Sequence, residues 1–265
     1  MSTANSNQGT PSKPSAARTA APDLVATVQT LQFAWFVGHA LTLISSVFFY
    51  LTYVRVFPSA YGFWYKAALF GVIESFGVLI YQSVSKNGFA VMQLLRDSNV
   101  QYLALALALF VYSPYVALTL ATFLLFSTFH VLSYVKHNLF PALAIPDTHP
   151  VSVKIGEFIA ANNNRSIALA SVLEVYTGVW LFVRLVTFRA NSLVPFVAYA
   201  VFLKLRFEKS QFTRNAFKSM EVKIDDAVNA SGQPVAKDAW VSIKGVFYRI
   251  GAFSLTGGEP AQKST

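Results

Sequence analysis

The chain has 265 residues, of which 54% are hydrophobic, 12% are charged and none is cysteine. A soluble domain carries about 25% charged residues, and a mean hydropathy of +0.47 leaves too little polarity to coat a water-exposed surface, so a soluble globular protein is excluded. The missing cysteine excludes disulfides, thiolate zinc sites and cysteine nucleophiles, and the net charge of +9 suits a membrane protein whose cations face anionic lipid.

Residues 1–30 are rich in Ser, Thr, Ala and Pro and cannot bury enough apolar surface to offset ordering entropy, which predicts a disordered arm. The first apolar run, residues 31–54, holds 24 residues without a charge. A transmembrane helix needs about 20, so this run reads as a span rather than a cleavable signal. Phe33, Trp35, Tyr50 and Tyr53 near its two ends fit interfacial aromatics. A short link leads into a second apolar segment over about 63–84, with Glu74 near its middle. The polar stretch 85–99 carries Phe89, Val91, Met92, Leu94 and Leu95, which predicts a helix lying on the membrane.

Residues 100–135 contain 36 residues and no charge. A straight helix of that length would reach about 54 Å, against a hydrocarbon core of about 30 Å. Pro114 lacks an amide hydrogen and disfavours helix at Ser113, so the run breaks near its middle. It reads either as one kinked span or as a shallow hairpin entering and leaving one leaflet. A loop with an Asn162-Asn163-Asn164 turn is expected over 136–165. A span over 166–188 then carries Glu174 and Arg184, and the segment 192–203 is short enough to be re-entrant or interfacial.

Beyond Leu203 there are ten basic residues against six acidic ones. Two amphipathic helices are predicted there. Phe217, Met220, Ile224 and Val228 recur at steps of three and four, as do Trp240, Ile243, Phe247 and Ile250, with Lys237, Lys244 and Arg249 off the second stripe. They read as membrane-surface helices, the alternative being packing on a partner or on each other. The fold class is therefore an all-α polytopic membrane protein, with about four transmembrane helices plus re-entrant or interfacial segments. Its parts are an arm (1–30), a helical membrane region (31–205) and a basic tail (206–265). Counting Lys and Arg near four spans places both termini and the 85–99 loop in the cytosol, and Arg55 with the 136–165 loop on the other side.

No catalytic, cofactor-binding or metal-binding constellation emerges. The histidines are spaced too far apart for a helix-face metal site, and the tail cations alternate with acids, which argues against nucleic acid. The intramembrane polar residues are Glu74, Glu174, Arg184 and His130. A buried carboxylate is a functional hypothesis by default, so a proton-coupled small-molecule carrier using Glu74 and Glu174 is the alternative to a structural role. The competing reading pairs each carboxylate with Arg184, a lysine or a polar neighbour inside the bundle. The uneven run lengths place unequal volume in one leaflet, which argues for a membrane-shaping or scaffolding protein.

The stretch LVPFVAYAVFLKLRFEKSQFTRNAFKSM (193–220) resembles the segment closing the membrane region of the transmembrane-protein-33 family. That family includes fungal pore-membrane and tetra-spanning ER proteins. Its pattern runs through Pro195-Phe196, Tyr199, Phe202-Leu203, Leu205-Arg206-Phe207, Ser210, Phe212, Arg214 and Phe217. Residues 99–139, with the aromatic-Ser-Pro break and the His130 region, are similar as well, and the likeness covers roughly 25–255. The resemblance implies residence in the endoplasmic reticulum and nuclear envelope, support of tubular ER and of nuclear pore distribution or assembly, and no active site. It also implies reticulon-type proteins, nucleoporins and a nuclear import receptor as partners, with a tail that binds curved, anionic bilayer. Oligomeric state stays open, a homo-oligomer included.

Overall fold

The computed structural model describes residues 24–56 and 60–255. Eleven α-helices follow in order among them. They are α1 (Leu24–Val28), α2 (Leu31–Tyr53), α3 (Tyr61–Asn87), α4 (Val91–Arg96), α5 (Ser98–Tyr112), α6 (Ala117–Tyr134), α7 (Phe140–Ala142), α8 (Pro150–Val186), α9 (Leu193–Lys209), α10 (Gln211–Ser231) and α11 (Pro234–Ala252). A π-helical turn, Val135–Leu139, joins α6 to α7. Leu31–Tyr53, Tyr61–Asn87, Ala117–Ala142 and Pro150–Val186 are each long and apolar enough to cross a membrane. The arm expected over 1–30 falls outside the described residues up to residue 23, and α1 lies in its last turns.

Local chemistry sets the boundaries. Thr30, Asp97 and Ser210 cap α2, α5 and α10 by accepting from backbone amides two or three residues on, which satisfies donors that a helix start leaves orphaned. Gly88 and Gly232 end α3 and α10 at φ of 78° and 63°, conformations that only glycine adopts freely. Pro150 and Pro234 open α8 and α11, where the missing amide hydrogen is no loss.

The α2–α3 pair is the tightest contact. A Cβ on Gly71 would lie 2.5 Å from the Gly38 carbonyl oxygen, so the two backbones touch as small-residue seams allow in lipid. Thr42 Oγ1 donates to Gly38 O and Ser75 Oγ donates to Gly71 O, at 2.9 Å each, so both hydroxyls are satisfied along the seam.

Ser113 and Tyr115, either side of Pro114, take φ of 39° and 50°, and the 100–135 run becomes two helices. α5 runs antiparallel to α3, with Tyr102 stacked on Phe76 and Tyr115 edge-on to Tyr61. α6 returns antiparallel to α2, from a Tyr50 hydroxyl donating to Ala117 O to Tyr134 stacked on Phe36. This corrects both sequence expectations for the run. It is not one continuous kinked helix, and the hairpin it forms runs along α3 and back along α2 through the length of the bundle.

The 136–165 loop is corrected too. The π turn and α7 prolong α6, and α8 runs unbroken through Asn162–Asn164. Asn162 Nδ2 donates back to Phe158 O, so the asparagine absorbs its own polarity within the helix, while Phe158 stacks on Phe129 of α6.

The connections sort to two ends. Residues 54–56, 113–116 and 187–192 share one end, joined by the Tyr61–Tyr115 contact and by a cleft between Tyr112 and the α8–α9 turn. At the other end α1 packs on the π turn, Lys136 lies against Gly156, and Lys209 Nζ donates to Arg96 O at 3.1 Å. Residues 136–150 therefore sit at the same end as the chain entry and the tail, not opposite them as the charge count over four spans suggests. The short helices α5 and α9 carry the chain back between ends and so alter that count. Trp35 and Tyr50, read as interfacial aromatics, instead pack between helices.

The seam makes one substitution pair diagnostic. Gly71→Ala must push α2 and α3 apart and should destabilise by about 1–3 kcal/mol. Gly77→Ala, with nothing within 4 Å of its Cβ, should stabilise the helix by about 0.5–1 kcal/mol. Thermal unfolding in detergent distinguishes them, and a neutral Gly71→Ala would contradict the packing described.

Candidate functional site: a latched tail hairpin on a buried ion pair

Glu174 lies on α8 with no exposure. Tyr102 of α5 donates its hydroxyl to Oε1 at 2.5 Å, and Arg206 Nε of α9 stands 3.6 Å from Oε2. The Arg206 guanidinium also sits over the Tyr102 ring, 5.4 Å from its centroid. A lone buried charge is heavily penalised, and pairing it with a second charge and a phenol offsets that. The sequence points to a basic or polar partner for Glu174, with Arg184 the first candidate. Arg184 instead reaches the far end, where its Nη2 touches Ala190 O at 3.4 Å. The local hint of Arg206 is slight: it stands between Leu205 and Phe207, at the end of a segment whose length reads as too short to cross.

The other intramembrane polar residues lie apart from this pair. Glu74, on α3, rests against Gly38 of α2 and makes no ion pair among the described residues. His130 stands edge-on to Trp35 and 4.6 Å from the His39 ring. It is His39 that meets Ser127, Nδ1 to Oγ at 3.0 Å. No local signal points to that pairing, because the two residues are 88 positions apart.

α9 leads directly into the tail. Phe207 packs edge-on to Phe217, and Phe217 and Met220 of α10 lie against the hydrophobic core. Ile224 and Val228 are half-buried. The first predicted stripe thus seats α10 on the bundle, along α8.

α11 folds back on α10 through polar contacts. Trp240 Nε1 and Lys244 Nζ both donate to Asp225 Oδ1 at 2.7 Å, and Tyr248 donates its hydroxyl to Glu221 at 2.6 Å. These three residues recur at i, i+4 and i+8, one face of a helix. The end of α11 is pinned by Lys204 Nζ to Gly251 O at 3.3 Å and by the Leu255 amide to Glu208 at 2.8 Å. The second predicted stripe is therefore divided. Trp240 turns to Asp225, whereas Ile243, Phe247 and Ile250 remain 46%, 57% and 51% exposed, continued by Val246 and Phe253. Lys244 serves the latch, while Lys237 and Arg249 are exposed.

The latch sets its own pH window. The hydrogen bond from Lys244, then that from Trp240, holds the Asp225 carboxyl below its usual 3.8. The same Asp225 bond raises Lys244 above its usual 10.5. The carboxylate's contribution is complete above its ordinary value and fades as pH falls through the depressed one. The ammonium's contribution is complete below its ordinary value and fades as pH rises through the raised one. Spin labels at Ser219 and Ser242 should report one closed distance from about pH 5 to 9 and opening at either extreme, with Asp225→Asn open throughout. Arg206→Met, which strands a buried carboxylate, should lose about 3–5 kcal/mol, and adding Glu174→Gln should restore most of it.

The family model "Transmembrane protein 33/Nucleoporin POM33" matches residues 14–248. Nucleoporin POM33 of Chaetomium thermophilum is 31% identical over 260 residues, 88% of this chain and 90% of that protein. The pore membrane protein of 33 kDa of Saccharomyces cerevisiae is 30% identical over 277 residues, 97% of this chain and 96% of its own length. The pore and endoplasmic reticulum protein of 33 kDa of the same yeast is 27% identical over 250 residues, covering 83% and 91%. No solved structure matches the chain. With a family model spanning most of its length and a relative at this identity covering nine-tenths of both proteins, the chain belongs to the transmembrane protein 33/nucleoporin POM33 family.

Proposed function

We propose that this chain is a multi-pass protein of the endoplasmic reticulum and nuclear pore membrane, acting as a membrane-shaping scaffold rather than as an enzyme. The names of its relatives, a nucleoporin, a pore membrane protein and a pore and ER protein, support the compartment. One observation carries the activity. The tail end of the bundle bears an apolar helical face, Ile243, Phe247 and Ile250 of α11, exposed beside the cations Lys237 and Arg249. Such a face gains free energy when it enters the boundary of an anionic leaflet. α4, with Val91, Met92 and Leu95 exposed and Phe89 exposed just before it, adds apolar volume between α3 and α5. Volume inserted into one leaflet only bends the bilayer towards that side.

On this reading the tail end is cytosolic. It gathers Lys86, Arg96, Lys136, Lys154 and the tail cations, whereas the other end holds Arg55, Lys66, Arg184 and Arg189, and a positive excess marks the cytosolic side. Nucleoporins are the expected partners at the pore. Reticulon-type ER proteins and a nuclear import receptor belong to the same proposal.

Reconstitution of the full chain at rising density should convert large anionic vesicles into small or tubular ones. Ile243→Glu with Phe247→Glu should suppress this, because charge in the interface opposes insertion, and vesicles of unchanged shape with the unaltered chain would overturn the shaping role. Orientation has its own test in cells, where neither sequon, Asn164-Arg165-Ser166 or Asn229-Ala230-Ser231, should carry glycan. A glycan on either would invert the assigned sides.

A further inference from the structure

The end of the bundle away from the tail has a charge pattern that tail docking does not use. The segments meeting there, 50–56, 60–66, 108–120 and 180–198, hold Arg55, Lys66, Arg184 and Arg189 but no Asp or Glu. The ion pairs among the described residues all lie elsewhere, on α8, α9, α10 and α11 around Glu174, Glu208, Glu221 and Asp225. Arg184 Nε is buried without a hydrogen-bond partner among the described residues, and its long contact with Ala190 O is its reach into the α8–α9 turn. A guanidinium cannot shed its charge, and no carboxylate pairs with this one among the described residues, so an anion would satisfy it.

The same turn forms a cleft of about 390 Å³ whose lining includes the polar residues Arg189, Asn191 and Ser192 and the apolar residues Tyr112, Phe188 and Leu193. That volume falls within the roughly 300–1,000 Å³ of small-ligand sites. Phe188 is held at φ of 53°, a conformation a bulky L-residue rarely keeps without a reason. Phe188 is 95% exposed, an aromatic ring beside two arginines at a bundle end. A lining that joins a cation and neutral donors to apolar side chains fits an amphiphile. At the surface of a bilayer the abundant anion joined to apolar chains is the phosphate of a phospholipid, which arginine recognises with two parallel hydrogen bonds.

We propose that this cleft is a phospholipid site. Arg189 in its wall and Arg184 beneath the turn bind the phosphate, Asn191 and Ser192 add neutral donors, and Phe188 and Leu193 lie along the acyl chains. The site rests on the multi-pass reading alone and not on tail docking or curvature, so vesicle shaping can fail while this site stands.

The test uses the full chain purified in detergent, with thermal unfolding and native mass spectrometry as readouts. Three probes are compared: dioleoyl phosphatidic acid, dioleoylglycerol, which lacks the phosphate, and inorganic phosphate. Phosphatidic acid should raise the unfolding midpoint and stay bound as a one-to-one adduct, while dioleoylglycerol should do neither. Arg189→Gln, a change in the exposed cleft, should weaken retention about tenfold, the effect of one charge-assisted hydrogen bond. Arg189→Lys should fall between, Arg184→Gln with Arg189→Gln should abolish the adduct, and Lys154→Gln on the tail half of α8 should leave it intact. Equal protection by dioleoylglycerol, or full retention by Arg189→Gln, would overturn the site. Equal protection by inorganic phosphate would make the occupant a free anion and overturn the lipid assignment.

Discussion

The contact on which the architecture turns is the buried meeting of Glu174, Arg206 and Tyr102. It joins the consecutive helices α8 and α9 to α5, which lies far from them along the chain. α5 and α9 have only 15 and 17 residues, about 22 and 26 Å of helix, and lie at the short limit for crossing a bilayer. An ion pair whose separation strands a charge in a dry interior opposes their sliding out of register. Close packing supports it, since a Cβ on Gly178 would collide with Leu203. The tail beyond α9 inherits this register. Lys204, Phe207 and Glu208 lie on α9 just before the tail and hold both ends of the α10–α11 hairpin.

The tail is therefore built in two layers with different chemistry. α10 is fixed to the bundle by apolar burial, which is insensitive to pH and salt. α11 is fixed to α10 by exposed ionic and hydrogen-bonded contacts, each worth little in water and screened by salt. A weakly latched helix can reorient while its base stays anchored. The apolar face it leaves outward is too large to be incidental, because Ile243, Val246, Phe247, Ile250 and Phe253 form one continuous arc. The same latch explains why Trp240, whose ring would suit the bilayer interface, is bonded to a carboxylate instead.

Much of the fold was legible in the residues. Long, predominantly apolar runs marked the long spans, Ser113-Pro114 marked the break, and stepwise apolar spacing marked both tail helices. What escaped was set by pairing between distant segments. Nothing local distinguishes a shallow hairpin from one that runs the length of the bundle; the aromatic contacts Tyr61–Tyr115 and Phe36–Tyr134 decide it. Three consecutive asparagines read as a turn, yet in α8 Asn162 bonds back into the helix while Phe158 packs on Phe129. Glu174 was identifiable as anomalous, but its partner Arg206 came from a segment whose short length concealed that it belongs inside the bundle. The placement of 136–165 failed for the same reason, since the charge count treated α5 and α9 as not carrying the chain between ends.

The central claim is that the bundle presents the outward face of α11 to the cytosolic leaflet. Because the chain lacks cysteine, a single Phe247→Cys or Lys237→Cys takes one spin label without further change. The most direct measurement is the immersion depth of each label, read from oxygen and aqueous-relaxant accessibility with the full chain in anionic vesicles. Position 247 should lie below the phosphate plane, about 5–10 Å into the headgroup and acyl boundary, while position 237 stays in water. Equal aqueous exposure at both positions, in small and large vesicles alike, would contradict that claim.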